Sequence, residues 1–217
     1  MTQNEVIKKV FVLLEEVSPF TEPDSFLVEN ENVKPIKSYI ESSIDESCNY
    51  VLGILPIYMI DFNVVDITDS VDMQVVDKVG YVTKPTDFIR VHSIKMSEWS
   101  KVVNDAMSSQ SPYYDLQRNP YTRGKTDKPI VAINDNKIEL YSVIRDTGVD
   151  VFKYVQRVQA ITTQETFDQD ETPYIDDTIA EYCALQCAIR VCEVFDMSDK
   201  AKVLSEELNK LLQTKML

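Results

Sequence analysis

Two patterns of apolar positions divide the chain. Towards both ends, apolar residues recur every three or four positions, which is the spacing of one helical face. From about residue 61 to 158 this spacing gives way to short runs of β-branched and aromatic residues, which are typical of strands. The pattern predicts an α+β fold, in which residues 1–60 and 172–217 form a helical bundle. Residues 61–171 form an inserted antiparallel β domain of sandwich or barrel type, with a long loop at residues 108–128.

The most regular helical pattern covers residues 174–212. Asp176 and Asp177 suit the N-terminal end of its first helix, and Asp196-Met197-Ser198 separates that helix from a second one. Such a short break predicts an antiparallel helix pair, which needs further helices to bury its apolar faces. The predicted apolar face of the first helix contains Ile175, Ile179, Tyr182, Cys183, Leu185, Ile189, Cys192 and Phe195.

Two N-terminal helices are predicted to complete the bundle. The first covers residues 3–17 and ends at Ser18-Pro19. The second has Pro35 in its first turn and is closed by Pro56. Its predicted buried face contains Ile36, Ile40, Ile44, Cys48, Val51 and Leu55.

Strands are predicted between the helices. Asn134-Asp135-Asn136 favours a hairpin turn, because Asn and Asp tolerate the left-handed backbone conformation. Trp99, the single tryptophan, is predicted to lie in the core of the sheet. The predicted strands cover residues 71–76, 87–95, 130–133, 137–143 and 151–158.

Composition narrows the classes of function. The net charge of −14 argues against a general nucleic-acid clamp, which needs a basic surface. No apolar run is long enough to cross a membrane, and the N-terminus lacks the pattern of a signal peptide, which favours residence in a cytoplasm. The four cysteines lack a CxxC pair and are expected to be core residues rather than zinc ligands.

Residues 108–128 contain a local excess of positive charge in an otherwise acidic chain. This stretch contains Arg118, Arg123, Lys125 and Lys128, four bases within eleven residues, together with Tyr121. One interpretation is a solvated loop tip. The other is a contact segment for an acidic neighbour, either a second copy of the chain or a phosphate backbone.

No catalytic motif is recognisable. The chain has four glycines and no glycine-rich phosphate loop, and His92 lies in an alternating run that predicts a strand residue. Asp168, Asp170 and Glu171 form an acidic run that lacks the spacing of a calcium loop, and a solvated linker explains it. No metal, cofactor or enzymatic reaction is therefore predicted.

Three short segments resemble a known protein family. They are Lys84-Pro85-Thr86-Asp87-Phe88-Ile89-Arg90-Val91, then residues 129–141, and Pro173 before two helices. Their order is similar to that of the head-to-tail connector proteins of tailed phages, especially tail-tubular-protein-A-like neck adaptors of short-tailed phages and the ring proteins of crAss-like phages. The resemblance covers most of the chain from about Ile36 to Leu212, and Lys84 stands where the family usually has leucine.

The resemblance implies a structural virion protein assembled in the host cytoplasm. Family members form a dodecameric ring under the portal protein, extend the DNA channel and carry the next tail or ring protein. An acidic lumen would let double-stranded DNA pass without sticking. In this hypothesis Arg118, Tyr121, Arg123, Lys125 and Lys128 contact an acidic region of the next subunit, which includes Asp168, Asp170 and Glu171. The C-terminal Lys215, Met216 and Leu217 would dock on the portal.

Two alternative functions remain open at the level of sequence. One is a sequence-independent DNA-binding or packaging factor that uses the basic loop, whose binding would weaken steeply with salt. The other is an enzyme whose site is assembled from distant residues, which a co-purifying metal or small molecule would indicate.

Overall fold

The computed structural model describes residues 1–14, 33–144, 148–158 and 174–215. The chain forms two compact units, one made of Met1–Phe62 with Val158–Leu217 and the other of Asn63–Arg157. The first contains the long helices and the second contains the strands, so the predicted α+β class is confirmed. Residues 159–171, the last part of the predicted insertion, lie outside the described residues.

The helical unit is organised around one helix. Its helices are α1 (Gln3–Leu13), α2 (Val33–Ile54), α4 (Asp177–Val194) and α5 (Ser198–Lys215), while the short α3 (Tyr114–Arg118) belongs to the other unit. Helices α1, α2 and α5 all pack against α4. The predicted apolar face of α4 was therefore too narrow, because its small residues allow neighbours to approach on several sides. The additional buried positions are Ala180, Ala184, Cys187, Ala188 and Val191.

Local capping explains where these helices begin and end. Thr2 and Glu5 form a reciprocal capping box at the start of α1. Asp176 caps α4 by accepting a hydrogen bond from the Thr178 N–H at 2.7 Å. At the other end of α4, Asp196 takes a φ of 58°. This left-handed residue stops the helix and turns the chain towards α5.

All four cysteines are free and buried in the helical unit, as predicted for core residues. A hydrogen bond with Cys48, reinforced by burial, raises the pKa of the Cys183 thiol well above its ordinary value. Burial raises the pKa of Cys187 to about 11. These thiols therefore stay protonated at neutral pH and pack as small apolar groups.

The β unit contains two sheets. One has the strand order β1-β8-β4, and the other has the order β2-β3-β7-β6-β5. Neighbouring strands are antiparallel except for β5 and β6, which are parallel. The strands are β1 (Val64–Asp66), β2 (Met73–Val76), β3 (Val79–Thr83), β4 (Phe88–Met96), β5 (Met107–Ser108), β6 (Val131–Asn134), β7 (Lys137–Tyr141) and β8 (Val149–Gln156).

Both sheets contribute to one apolar core, as in a sandwich. Ile138 and Leu140 of the larger sheet and Ile94 and Phe152 of the smaller one belong to the same buried cluster. Trp99 joins this cluster, as predicted, and its indole N–H donates to the Ser142 carbonyl at 3.3 Å. The sandwich is thus closed by residues from β4, β7 and β8.

The opposite face of the larger sheet is also covered. Side chains alternate along β7, so Glu139 and Tyr141 point away from the sandwich core, yet both are buried. Tyr141 packs there with Val79, Ala132 and Tyr114 in a second, smaller cluster. Tyr114 lies on α3, which shows that the segment following β5 folds over this outer face.

The strand predictions were correct in five places and missed three strands. The predicted 134–136 hairpin is confirmed between β6 and β7, with Asp135 at a φ of 48°. The missed strands are β1, β3 and β5. β3 follows a two-residue turn at Asp77 and Lys78, whose φ values are 51° and 63°.

Candidate functional site

The basic segment, residues 108–128, is folded rather than extended. It contains the short helix α3 and ends in a tight turn, where Lys125 and Lys128 exchange main-chain hydrogen bonds at 3.1 and 2.9 Å. Between these elements, the Thr122 hydroxyl donates to the Leu116 carbonyl at 2.6 Å. The predicted loop therefore has a defined main-chain conformation, which fixes the positions from which its cationic side chains extend.

A buried glutamine and a glycine hold this segment against the sheet. Gln117 accepts a hydrogen bond from the Gly124 N–H at 2.8 Å. A Cβ atom at Gly124 would lie 3.0 Å from the main-chain nitrogen and the Cβ of Ile130. The absence of a side chain at Gly124 is thus required for the close approach of the two main chains.

A buried carboxylate with three donors lies beneath α3. Glu139 accepts hydrogen bonds from the hydroxyl groups of Tyr114 and Tyr141 at 2.9 and 2.6 Å, and from the Asn134 amide at 3.2 Å. Burial, followed by the interaction with Glu139, raises the pKa of the Tyr141 hydroxyl. The same two causes raise the pKa of Tyr114, and neighbouring Arg118 opposes them. Both phenols are therefore hydrogen-bond donors at neutral pH.

Arg123 is positioned by main-chain carbonyls. Its Nη1 donates to the Asp77 carbonyl at 2.5 Å and its Nη2 to the Arg118 carbonyl at 3.5 Å. Its Nε is buried and has no hydrogen-bond partner. Arg118 lies over the Tyr114 ring, with 5.5 Å from Cζ to the ring centroid, and is 3.9 Å from the Asp115 carboxylate. Hydrogen bonds to main-chain carbonyls thus restrain the Arg123 guanidinium beside the β2–β3 turn, whereas the Arg118 side chain is largely exposed.

These side chains line one open pocket of about 750 Å³. Its described walls include four cationic residues, Lys78, Arg118, Arg123 and Lys125, and one acidic residue, Asp77. We call it the basic pocket. Sequence reasoning identified three of the four bases and missed Lys78, which is distant in sequence and is brought there by the β2–β3 turn.

The structure brings together part of the predicted contact set. Tyr121 is 91% exposed, and Lys128 is exposed outside the described lining of the basic pocket. Asp168, Asp170 and Glu171 lie outside the described residues, as do Met216 and Leu217. Lys215 is the last residue of α5. Asp176, which was predicted to suit the N-terminal end of a helix, caps α4.

Neither a metal-binding cluster nor a membrane-spanning helix is found among the described residues. No group of three or more His, Cys, Asp or Glu residues there is arranged to hold a metal ion. Nor does any described helix have the length and apolarity needed to span a bilayer. His92 lies on β4, where its Nδ1 is 3.1 Å from the Ser93 hydroxyl. No protein-family model matches the chain, and no curated protein matches it significantly.

Proposed function

We propose that this protein is a subunit of a phage head-to-tail connector ring. In this proposal the ring extends the portal channel and carries the next tail or ring component. The protein itself catalyses no reaction, and double-stranded DNA passes through the ring during packaging and ejection.

The observation that carries the proposal is where the first two motif segments lie in the fold and which elements follow the third, Pro173, which itself lies outside the described residues. Pro85 accepts a hydrogen bond from the Phe88 N–H at 3.2 Å, so the first motif forms a turn leading into β4. The second motif forms the β6–β7 hairpin. The third leads to α4 and α5, which complete a helical unit begun by α1 and α2. This arrangement of a β unit inserted into a helical unit is the one that the resemblance implies.

The charge of the chain is consistent with a DNA channel. A net charge of −14 per subunit, repeated around a ring, gives a strongly negative assembly. Like charges repel the phosphate backbone, so DNA would slide along such a wall with few attachments. A closed ring also needs head-to-tail contacts between subunits. The exposed bases Arg118, Lys125 and Lys128 are candidates for these contacts.

The deciding experiment is co-sedimentation of the full-length protein with the portal protein encoded in the same genome, followed by electron microscopy of the pelleted complex. We expect a ring stacked coaxially on the portal. Failure to bind the portal, with the protein remaining monomeric at high concentration, would contradict the proposal. Binding to DNA that weakens steeply with salt, without portal binding, would instead favour a DNA-binding factor.

Two sets of variants then locate the contacts. Reversing charge in Lys125→Glu/Lys128→Glu should weaken ring assembly, and Arg118→Glu/Arg123→Glu should weaken it as well. The lysine pair is the cleaner test, because Arg123 also donates a hydrogen bond to the Asp77 carbonyl.

Removing residues 213–217 should reduce portal binding without affecting the ring contacts. Unchanged assembly or unchanged portal binding would reject the corresponding contact.

A further inference from the structure

We propose that the basic pocket binds a phosphate-class oxyanion. The proposal rests on the pocket alone and does not depend on assembly into a ring. Its walls come from three parts of the β unit, namely the β2–β3 turn, the basic segment and the residues Ser142 and Ile144 after β7, so the pocket exists only in the folded unit. The pocket is open to solvent and large enough, at about 750 Å³, to admit a phosphate or pyrophosphate group.

The cations of the basic pocket lack internal counterions. Within the described residues, no carboxylate forms an ion pair with Lys78, Arg123 or Lys125. Arg118 is paired only loosely, at 3.9 Å from an exposed carboxylate. In a chain with 36 acidic and 22 basic residues, acids are abundant for such pairing. Several bases that no described carboxylate of the same chain neutralises therefore surround one pocket, where a bound oxyanion can supply the negative charge.

Arg123 is already oriented for such a ligand. Its contacts with the carbonyls of Asp77 and Arg118 restrain the guanidinium without neutralising its charge. A restrained guanidinium loses less conformational entropy on binding than a free one. The hydrogen atoms of Nη1 and Nη2 that do not face these carbonyls remain to donate to an anion.

The number of cations favours phosphate over a single carboxylate. A carboxylate brings one negative charge, whereas a phosphate monoester carries about −1.5 to −2 at pH 7 and presents three acceptor oxygens. Four cationic residues in the lining of one pocket match the second kind of ligand better. The phosphate has two sources, a small free phosphate compound or a nucleic-acid backbone. The overall charge of −14 opposes the approach of an extended polyanion, which favours the small compound.

The test is titration of the full-length protein with inorganic pyrophosphate, followed by calorimetry at constant ionic strength. Succinate, a small dicarboxylate, is titrated in parallel. The test variant is Lys78→Gln/Lys125→Gln, because both side chains are exposed and neither forms a hydrogen bond or ion pair with a described residue. Lys101→Gln/Lys128→Gln is the matched control, since it removes the same charge from exposed positions outside the described pocket lining. A labelled duplex oligonucleotide tests the second phosphate source.

We expect pyrophosphate to bind the wild type, and the Lys78→Gln/Lys125→Gln variant to bind it about tenfold more weakly or worse, a loss of roughly 1.4 kcal/mol or more. The Lys101→Gln/Lys128→Gln control should retain wild-type affinity. Duplex binding that is lost in the test variant and kept in the control would assign the phosphate to nucleic acid. Three results would overturn the proposal: no pyrophosphate binding, succinate binding of equal strength, or equal losses in both double variants.

Discussion

The Glu139 carboxylate accepts a hydrogen bond from the hydroxyl of Tyr141, two residues further along the same strand, at 2.6 Å. Both side chains lie on the outer face of the larger sheet, beneath the basic segment. Tyr114 and Asn134 donate to the same carboxylate. Neutral donors therefore satisfy a buried acid and link α3, β6 and β7 through one residue.

Replacing this acid with its amide should destabilise the β unit. In Glu139→Gln the amide nitrogen places a donor where Tyr and Asn donors already point. We expect the free energy of unfolding to fall by about 2 kcal/mol, the scale of a lost hydrogen bond to a charged group. Urea denaturation followed by Trp99 fluorescence reports on this unit. Asp135→Asn is an exposed acid-to-amide change in the neighbouring turn. It should change the free energy of unfolding by less than about 0.5 kcal/mol. Equal effects would show that Glu139 has no special role.

Stability should fall at alkaline pH, partly through Tyr141. Its pKa is raised in the folded protein by burial and by Glu139. A raised folded pKa means that this contribution to stability is complete below the unfolded value of about 10 and is lost as pH rises above it. The free energy of unfolding should therefore decline less steeply above about pH 10 in Tyr141→Phe than in the wild type. Tyr121→Phe, at a 91% exposed position, should follow the wild-type curve.

The close approach of the main chains at Gly124 predicts that alanine is tolerated less well there than at Gly148. Gly124→Ala should lower the free energy of unfolding by about 1–3 kcal/mol, because the new Cβ meets Ile130 main-chain and side-chain atoms at 3.0 Å. Gly148→Ala is the control, since its Cβ would meet only the Ser97 hydroxyl at 3.3 Å among described atoms. Gly124→Ala should also weaken pyrophosphate binding, because Arg123 precedes it. Equal stability of the two variants would contradict this packing.

The buried cysteines should react slowly with thiol reagents. All four side chains are buried, and raised pKa values disfavour the reactive thiolate at Cys183 and Cys187. A colorimetric disulfide reagent should label none of them rapidly in the native protein at neutral pH and all four in denaturant. Rapid native labelling of even one thiol would show that the helical unit opens readily.

Much of the fold was predictable because long amphipathic helices carry a strong periodic signal. The strands β2, β4, β6, β7 and β8 were found for a different reason, because short runs of β-branched and aromatic residues are typical of strands. β3 was missed because its turn uses Asp77 and Lys78 rather than the usual Asn-Gly signal, although both take positive φ. β1 and β5 were missed because three and two residues are too few to show a period.

The candidate site was predictable in composition and not in geometry. A local excess of bases in an acidic chain marked residues 118–128 without any structural information. That Lys78 joins Arg118, Arg123 and Lys125 follows from sheet pairing, which places the β2–β3 turn beside the basic segment. Sequence spacing carries no trace of that pairing. Tyr121 and Lys128 lie outside the described lining of the basic pocket. Their positions depend on the turns of the basic segment, which the sequence does not reveal.

The helical unit is built from two separate parts of the chain, Met1–Phe62 and Val158–Leu217. This affects the order in which the protein can fold during synthesis. The ribosome releases α1 and α2 first, but their main packing partner, α4, begins only at Asp177. The β unit, Asn63–Arg157, is complete before that helix is made. Vectorial synthesis therefore favours a nascent chain in which the sandwich folds first. Until α4 and α5 are synthesised, the apolar faces of α1 and α2 lack their main packing partner and are exposed to aggregation.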